Sequence, residues 1–144
     1  MQERFRTLRQ AGELGIVAYL TAGDPSLDAT LEFVLALAAT GADVIELGVP
    51  FSDPLADGPT IQRASERALK SGTTLARVLD LVQRIRKSSE VPLVLFSYFN
   101  PILQMGLEKF ASTAEAAGAD GVLATDLTPE ESDDYRRVLG AHRL

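Results

Sequence analysis

The chain contains no cysteine and only one histidine, His142, among its 144 residues. It can therefore form neither disulfides nor thiolate metal sites, and a single histidine argues against a zinc site. No apolar run approaches the roughly 20 residues of a membrane span, and the charged segment 1–13 has no apolar signal-peptide core. The net charge is −6, and the basic residues form no stripe that could bind nucleic acid or an anionic membrane. These absences favour a cytoplasmic enzyme or binding protein.

Lysine is also scarce, because it occurs only at positions 70, 87 and 109, all in stretches with helical spacing. No strand lysine is available to form a Schiff base with a carbonyl substrate. The sequence has no glycine-rich phosphate or dinucleotide motif. The chemistry that remains is metal-free acid–base catalysis by carboxylates.

Short aliphatic runs alternate with longer amphipathic stretches along the whole chain. The runs at 15–21, 43–49, 92–98 and 121–125 predict strands, and the stretches between them predict helices. Helix starts are predicted at Asp24-Pro25 and at Thr128-Pro129, where a capping side chain precedes a proline. Segment 1–11 is predicted to be a short leading helix. Strands that alternate with helices favour parallel βαβ units.

Four βα units are half of a (β/α)8 barrel, which needs about 250 residues. We therefore expect an α/β chain in which residues 1–144 form a single partial domain, the first half of a TIM barrel. The repeat of Gly41-Ala42-Asp43 at Gly118-Ala119-Asp120 supports a βα array. A doubly wound four-stranded binding domain is the alternative.

Glu46 is the candidate acid–base group on the second strand. Strand alternation places Ile45 and Leu47 on one face, which suits the covering helices, and Glu46 on the other, which would be the barrel interior. A carboxylate in such a place is costly unless it has partners, so it is a functional candidate. The alternative is a strand-end glutamate in a surface salt bridge.

The matching positions on the neighbouring strands predict a partly aromatic pocket around Glu46. Its walls would be Tyr19, Phe96, Tyr98 and Leu123, although ordinary barrel-core packing is an alternative for this face. The segment 50–58 follows the second strand and is longer than most βα loops. It holds Asp53 and Asp57, and the alternative role for Asp57 is to cap the next helix.

The run from Glu46 to Pro59, ELGVPFSDPLADGP, resembles the signature of the tryptophan synthase α subunits. The segments 19–25, 97–102 and 124–127 resemble the first, third and fourth strand regions of that family, and the resemblance covers essentially the whole chain. It implies cleavage of indole-3-glycerol phosphate to indole and glyceraldehyde 3-phosphate. Phe99 stands where many members carry a second tyrosine.

The resemblance also implies roles for individual residues. Glu46 matches the catalytic glutamate that shuttles a proton between the glycerol hydroxyl and indole C3, and Asp57 matches the aspartate that accepts a hydrogen bond from the indole N–H. Asp53 and Asn100 match positions at or near the contact with the β subunit, which holds pyridoxal phosphate; this chain should need no cofactor. The positions that match the surroundings of the indole are Tyr19, Phe96, Tyr98, Leu123 and Thr125.

The phosphate-binding loops of the family follow its later strands and have no counterpart in these 144 residues. We therefore expect a partial chain with both catalytic carboxylates and half of the indole pocket. The alternative is an inactive half-barrel that pairs with itself or another chain and serves as a structural or binding module. Another phosphate-binding barrel enzyme is a further alternative.

Overall fold

A computed structural model describes all residues from Met1 to Leu144. Four parallel strands lie side by side in chain order: β1 (Val17–Thr21), β2 (Val44–Gly48), β3 (Leu93–Ser97) and β4 (Gly121–Ala124). All four predicted strands are present, and each is slightly shorter than predicted at one or both ends. Every connection is helical, so the predicted succession of four βα units is confirmed.

The chain has seven α-helices, and two of the connections between strands hold two helices each. The leading helix α1 covers Gln2–Ala11 as predicted. One short 3-10 turn, Pro129–Glu131, precedes the last helix. None of the helices combines the length and apolar character that crossing a membrane requires. The remaining helices are α2 (Leu27–Ala39), α3 (Pro59–Lys70), α4 (Leu75–Arg86), α5 (Phe99–Met105), α6 (Leu107–Ala117) and α7 (Asp133–Ala141).

The hydrophobic core lies between one face of the sheet and the helices. Ile45 and Leu47 of β2 are fully buried there, as are Leu93 and Leu95 of β3. Phe110 of α6 is among the largest side chains that are completely buried. The prediction that Ile45 and Leu47 face the helices is confirmed, and the opposite face of the sheet therefore carries Glu46.

Two predicted helix starts are wrong by a few residues. Helix α2 begins at Leu27 after Ser26, whose hydroxyl accepts the Ala29 N–H at 3.1 Å. Asp24 cannot serve as the cap because its carboxylate binds the Arg67 guanidinium through two hydrogen bonds of 2.7 and 2.8 Å. The first start was misplaced because a distant arginine uses the candidate capping side chain.

The other misplaced start is at Thr128-Pro129. This sequence forms only the 3-10 turn, and the Thr128 side chain makes no capping hydrogen bond. Ser132 ends the turn by donating its hydroxyl to the Pro129 carbonyl at 2.8 Å. Helix α7 therefore begins at Asp133, after a turn that local helix propensity does not predict.

The aspartates of the two repeated Gly-Ala-Asp segments accept equivalent hydrogen bonds at two places on the sheet. The Asp43 carboxylate accepts the Ile16 N–H at 2.7 Å and Arg4 Nε at 2.6 Å. The Asp120 carboxylate accepts the Leu93 N–H at 2.9 Å and Arg86 Nη2 at 2.5 Å. Each aspartate thus ties its own strand to the start of a neighbouring strand and holds an arginine from a helix.

Asp43→Asn is expected to reduce stability most at neutral pH. The backbone hydrogen bond from Ile16, and then Arg4, hold the Asp43 pKa below its usual value. A lowered folded-state pKa contributes stability above the unfolded pKa of about 4, and that contribution is lost as pH falls through the folded pKa. Thermal unfolding at pH 7, 5 and 3 should therefore show a gap between wild type and variant that narrows towards pH 3.

Asp80→Asn, an exposed change on α4, is the control and should leave the pH profile unchanged. A gap for Asp43→Asn that stays constant from pH 7 to pH 3 would show that its carboxylate charge is not what stabilises the fold.

Candidate active site

Glu46 lies on the open face of the sheet, in the middle of a row of residues. The strand register places Tyr19, Glu46, Val94 and Gly121 side by side. Glu46 is half-buried and lines a cleft of about 830 Å³ whose other lining residues come mainly from the two chain ends and from the segment 119–123. Leu123 is the one other candidate residue in this cleft. None of the ion pairs in the structure includes Glu46, so the surface salt-bridge alternative is not what the fold shows.

The next row of residues on the same face forms a floor beneath the Tyr19 ring. Thr21, Gly48, Phe96 and Leu123 lie side by side in register. The Tyr19 ring leans over Gly48 and meets the edge of the Phe96 ring at a centroid distance of 5.5 Å. Tyr19, Phe96 and Leu123 thus lie on the same face of the sheet as Glu46, and Leu123 is 40% exposed. The aromatic pocket around Glu46 stays a prediction.

Gly48→Ala tests how tightly Tyr19 covers this floor. A Cβ built at Gly48 would lie 2.1 Å from Tyr19 Oη and 2.6 Å from Cζ, so the phenol ring would have to move. We expect the substitution to cost about 1–3 kcal/mol of unfolding free energy, as overpacking usually does. The measurement is urea denaturation of the variant and the wild type.

Tyr19→Ala supplies the matched background for that experiment. Without the phenol, the same Gly48→Ala change should cost less than about 0.5 kcal/mol, because the obstructing atoms are gone. Equal costs in both backgrounds would contradict this packing.

Asp57 lies in the β2–α3 loop, and Tyr98 holds it there. The buried Tyr98 side chain donates its hydroxyl to Asp57 Oδ2 at 3.1 Å and accepts the Ala56 N–H at 2.8 Å. Its ring packs against Phe51 at 5.2 Å. Gly58, not Asp57, occupies the capping position before α3, so the alternative role of helix cap is excluded. The tyrosine therefore links the end of β3 to the loop after β2.

Burial is the main electrostatic influence on the two phenols near the site, Tyr19 and Tyr98. Burial raises the pKa of Tyr19, a hydrogen bond with Thr21 opposes that rise, and the charges of Asp57 and Glu46 add to it. Burial likewise raises the pKa of Tyr98, and the nearby Asp57 charge contributes. Both phenols thus remain protonated hydrogen-bond donors at neutral pH.

The remaining candidate residues lie around the carboxyl ends of the strands. Thr125 follows β4 and its N–H donates to the Ser97 carbonyl at 3.0 Å. A cleft of about 450 Å³ contains Thr125 and Tyr98 together with Asp53 on its outer side. Asp53 is exposed and accepts the Ser52 hydroxyl, and Asn100 is exposed in the first turn of α5.

Strand alternation places Gly48 on the same face as Glu46, but sequence reasoning assigned no role to Gly48 or to Asp126. Asp126 Oδ1 accepts the Phe99 N–H at 2.7 Å, so it caps α5 and helps to line the cleft that holds Asp53. Its position just after the predicted fourth strand could have indicated that it lies near the site. No sequence pattern indicates why position 48 is a glycine, because the reason is the Tyr19 ring that leans over it. No group of three or more metal-binding side chains occurs in the structure.

Comparison with known proteins decides the family. The family model described as tryptophan synthase alpha chain matches residues 5–144. The chain belongs to the tryptophan synthase alpha chain family. The alpha chain of Laribacter hongkongensis is 54% identical over 145 residues, which is 100% of this chain and 55% of that protein. The alpha chain of Geobacter sulfurreducens is 54% identical over 140 residues, which is 97% of this chain and 53% of that protein.

Solved structures of the family share the fold. The tryptophan synthase subunit alpha of Legionella pneumophila superposes with a TM-score of 0.97 at 44% identity, covering 99% of this chain and 55% of that one. A chain in the tryptophan synthase complex of Pyrococcus furiosus gives 0.87 at 42% identity, covering 90% and 54%. The chain spans about half the length of these relatives. Its fold is accordingly that of the first four βα units of a parallel (β/α)8 TIM barrel, as predicted.

Proposed function

We propose that this chain carries the acid–base groups of a lyase that cleaves indole-3-glycerol phosphate to indole and glyceraldehyde 3-phosphate, a step of tryptophan biosynthesis. The observation that supports the proposal is that β2 and the loop directly after it supply two carboxylates, Glu46 and Asp57. Glu46 comes from the middle of β2, and Asp57 is held by Tyr98 beyond the carboxyl end of that strand. Active sites of (β/α)8 barrels lie at this end of the strands.

Glu46 is proposed as the group that moves the proton. Its carboxyl group protonates C3 of the indole ring, and the resulting carboxylate then removes the proton of the hydroxyl on the carbon attached to that ring. The bond between this carbon and C3 breaks, its electron pair returns to the ring, and an aldehyde forms. A half-buried carboxyl group that has no ion pair is free to alternate between these two states.

Asp57 is proposed to stabilise the intermediate. Protonation at C3 places positive charge on the ring, and the Asp57 carboxylate accepts the hydrogen bond of the ring N–H. Tyr98 occupies Oδ2, so Oδ1 is the oxygen available to the ring. A carboxylate fixed in advance stabilises developing charge without reorganisation. The side chains that would surround the indole are Tyr19, Phe96, Tyr98, Leu123 and Thr125.

The partner proposed for the rim of the site is a tryptophan synthase β subunit. Asp53 and Asn100 are exposed there, and so are two apolar side chains of the same rim, Leu55 at 92% and Leu103 at 56%. Exposed apolar groups with polar neighbours are typical of protein interfaces. A related structure is described as a tryptophan synthase α2β2 complex from Pyrococcus furiosus. Pyridoxal phosphate would belong to the β subunit and this chain would need no cofactor.

The test uses a fusion of residues 1–144 to the second half of the Laribacter hongkongensis relative, the part that the match does not cover. This half would supply the loops that hold the substrate phosphate. The fusion should form indole and glyceraldehyde 3-phosphate in equal amounts, and an added β subunit should accelerate their formation. A folded fusion that forms neither product would refute the proposed reaction. Asp53→Ala and Asn100→Ala should weaken only the effect of the β subunit.

A further inference from the structure

Asp126, in the segment that follows β4, has no role in the reaction as described so far. Its carboxylate oxygen Oδ1 accepts the Phe99 N–H at 2.7 Å. Phe99 is the first residue of α5, and the residue before it, Tyr98, makes no side-chain capping hydrogen bond. The first N–H groups of a helix have no acceptor within the helix. Asp126 therefore supplies, from a different loop, an acceptor that α5 lacks.

The backbone on both sides of Tyr98 is tied to the segment after β4. The Ser97 carbonyl, one residue earlier, accepts the Thr125 N–H at 3.0 Å. The Phe99 N–H, one residue later, is the group that Asp126 accepts. Tyr98 is only 6% exposed, so its ring has little room to turn. The direction of the phenol is thus set by two hydrogen bonds to residues 125 and 126.

The phenol in turn fixes the loop after β2. Its hydroxyl accepts the Ala56 N–H at 2.8 Å and donates to Asp57 Oδ2 at 3.1 Å. Its ring packs against Phe51 at a centroid distance of 5.2 Å. Ala56, Phe51, Tyr98 and Asp126 also line one cleft of about 450 Å³. The loops after β2, β3 and β4 therefore form one connected unit, in which Tyr98 is the middle member.

We propose that Asp126 is a positioning residue for Asp57: it fixes the start of α5, and the Tyr98 hydroxyl passes that position on to the Asp57 carboxylate. This inference rests on the proposed function, in which Asp57 accepts the hydrogen bond of the indole N–H. A carboxylate stabilises developing charge best when it is held in place beforehand, and a small displacement from the substrate lowers the rate. Asp126 acts only through Phe99 and Tyr98.

The first test measures amide hydrogen exchange by NMR in the 144-residue chain. Asp126→Ala should speed exchange at both Phe99 and Ala56 about 3- to 10-fold, the effect of losing one hydrogen bond. Tyr98→Phe should speed exchange at Ala56 but not at Phe99, because it cuts the connection beyond that point. Asp126→Asn keeps an acceptor oxygen and should preserve both rates, as should Asp80→Ala, an exposed change on α4. An Ala56 exchange rate that Asp126→Ala leaves unchanged would overturn the inference.

The second test measures indole release by the fusion. Asp126→Ala should lower kcat about 3- to 10-fold with KM little changed, and Asp126→Asn should restore most of the rate. Tyr98→Phe keeps the ring but removes the hydroxyl, so Asp126→Ala should lower kcat little further in that background. A full effect of Asp126→Ala in the Tyr98→Phe background would overturn the inference, because the effect would then not pass through Tyr98.

A folded fusion that releases no indole would count against the proposed function alone. The exchange rate of the Ala56 amide in the 144-residue chain would then still decide whether Asp126 positions the loop of Asp57.

Discussion

Glu46→Gln is expected to slow indole release by the fusion about 10²- to 10⁴-fold, the usual contribution of a general acid–base group. Glutamine keeps the shape of the side chain but can neither deliver a proton to C3 nor accept one from the hydroxyl. Because Glu46 makes no ion pair in the structure, its replacement should leave the fold intact. The loss should therefore appear in kcat, with KM little changed.

Glu32→Gln is the matched control, because it removes an exposed carboxylate from α2, and its rate should equal that of the unmodified fusion. Asp57→Asn should also lower kcat, and the double variant should lose less than the product of the two single losses, since both groups serve one proton transfer. Retention of more than about a tenth of the rate by Glu46→Gln would remove Glu46 from the mechanism.

Phe110→Ala is expected to have the largest effect on stability, about 3–5 kcal/mol. The Phe110 ring is fully buried in α6 within the core cluster between the helices and the sheet. Its removal loses the transfer free energy of the ring and leaves a cavity that the neighbouring side chains cannot fill. Typical domains are stable by about 5–15 kcal/mol, so the variant should unfold at much lower urea concentration.

Phe33→Ala provides the comparison for this loss, because the Phe33 ring is 46% exposed on α2. We expect that change to cost less than about 1 kcal/mol, as most surface substitutions do. Similar urea midpoints for the two variants would mean that the core does not lie between α6 and the sheet.

The strand pattern predicted the part of the fold that positions the site. Alternation on β2 assigned Ile45 and Leu47 to the helix side and Glu46 to the open side, because a period of two leaves no other choice once one face must be covered. The number and order of the strands followed in the same way. Local periodicity therefore suffices for residues whose placement depends on a single strand.

Contacts between distant segments could not be predicted. The sequence predicts Asp24 as a helix cap, but Asp24 binds Arg67, which is 43 positions away. The sequence predicts Tyr98 at the indole pocket but does not predict that its hydroxyl holds the loop of Asp57, 41 positions earlier. Such bonds depend on how the loops pack together, and no local pattern encodes that packing. The Asp57 geometry thus required the structure.

The most direct measurement is kcat/KM for indole release by the fusion, compared with the intact Laribacter hongkongensis alpha chain that donates its second half. If residues 1–144 supply a competent acid–base half-site, the two values should agree within about tenfold, a difference of about 1.4 kcal/mol in transition-state stabilisation. A folded fusion whose kcat/KM lies more than about a thousandfold below that of the parent would show that Glu46 and Asp57 are not arranged here for this reaction.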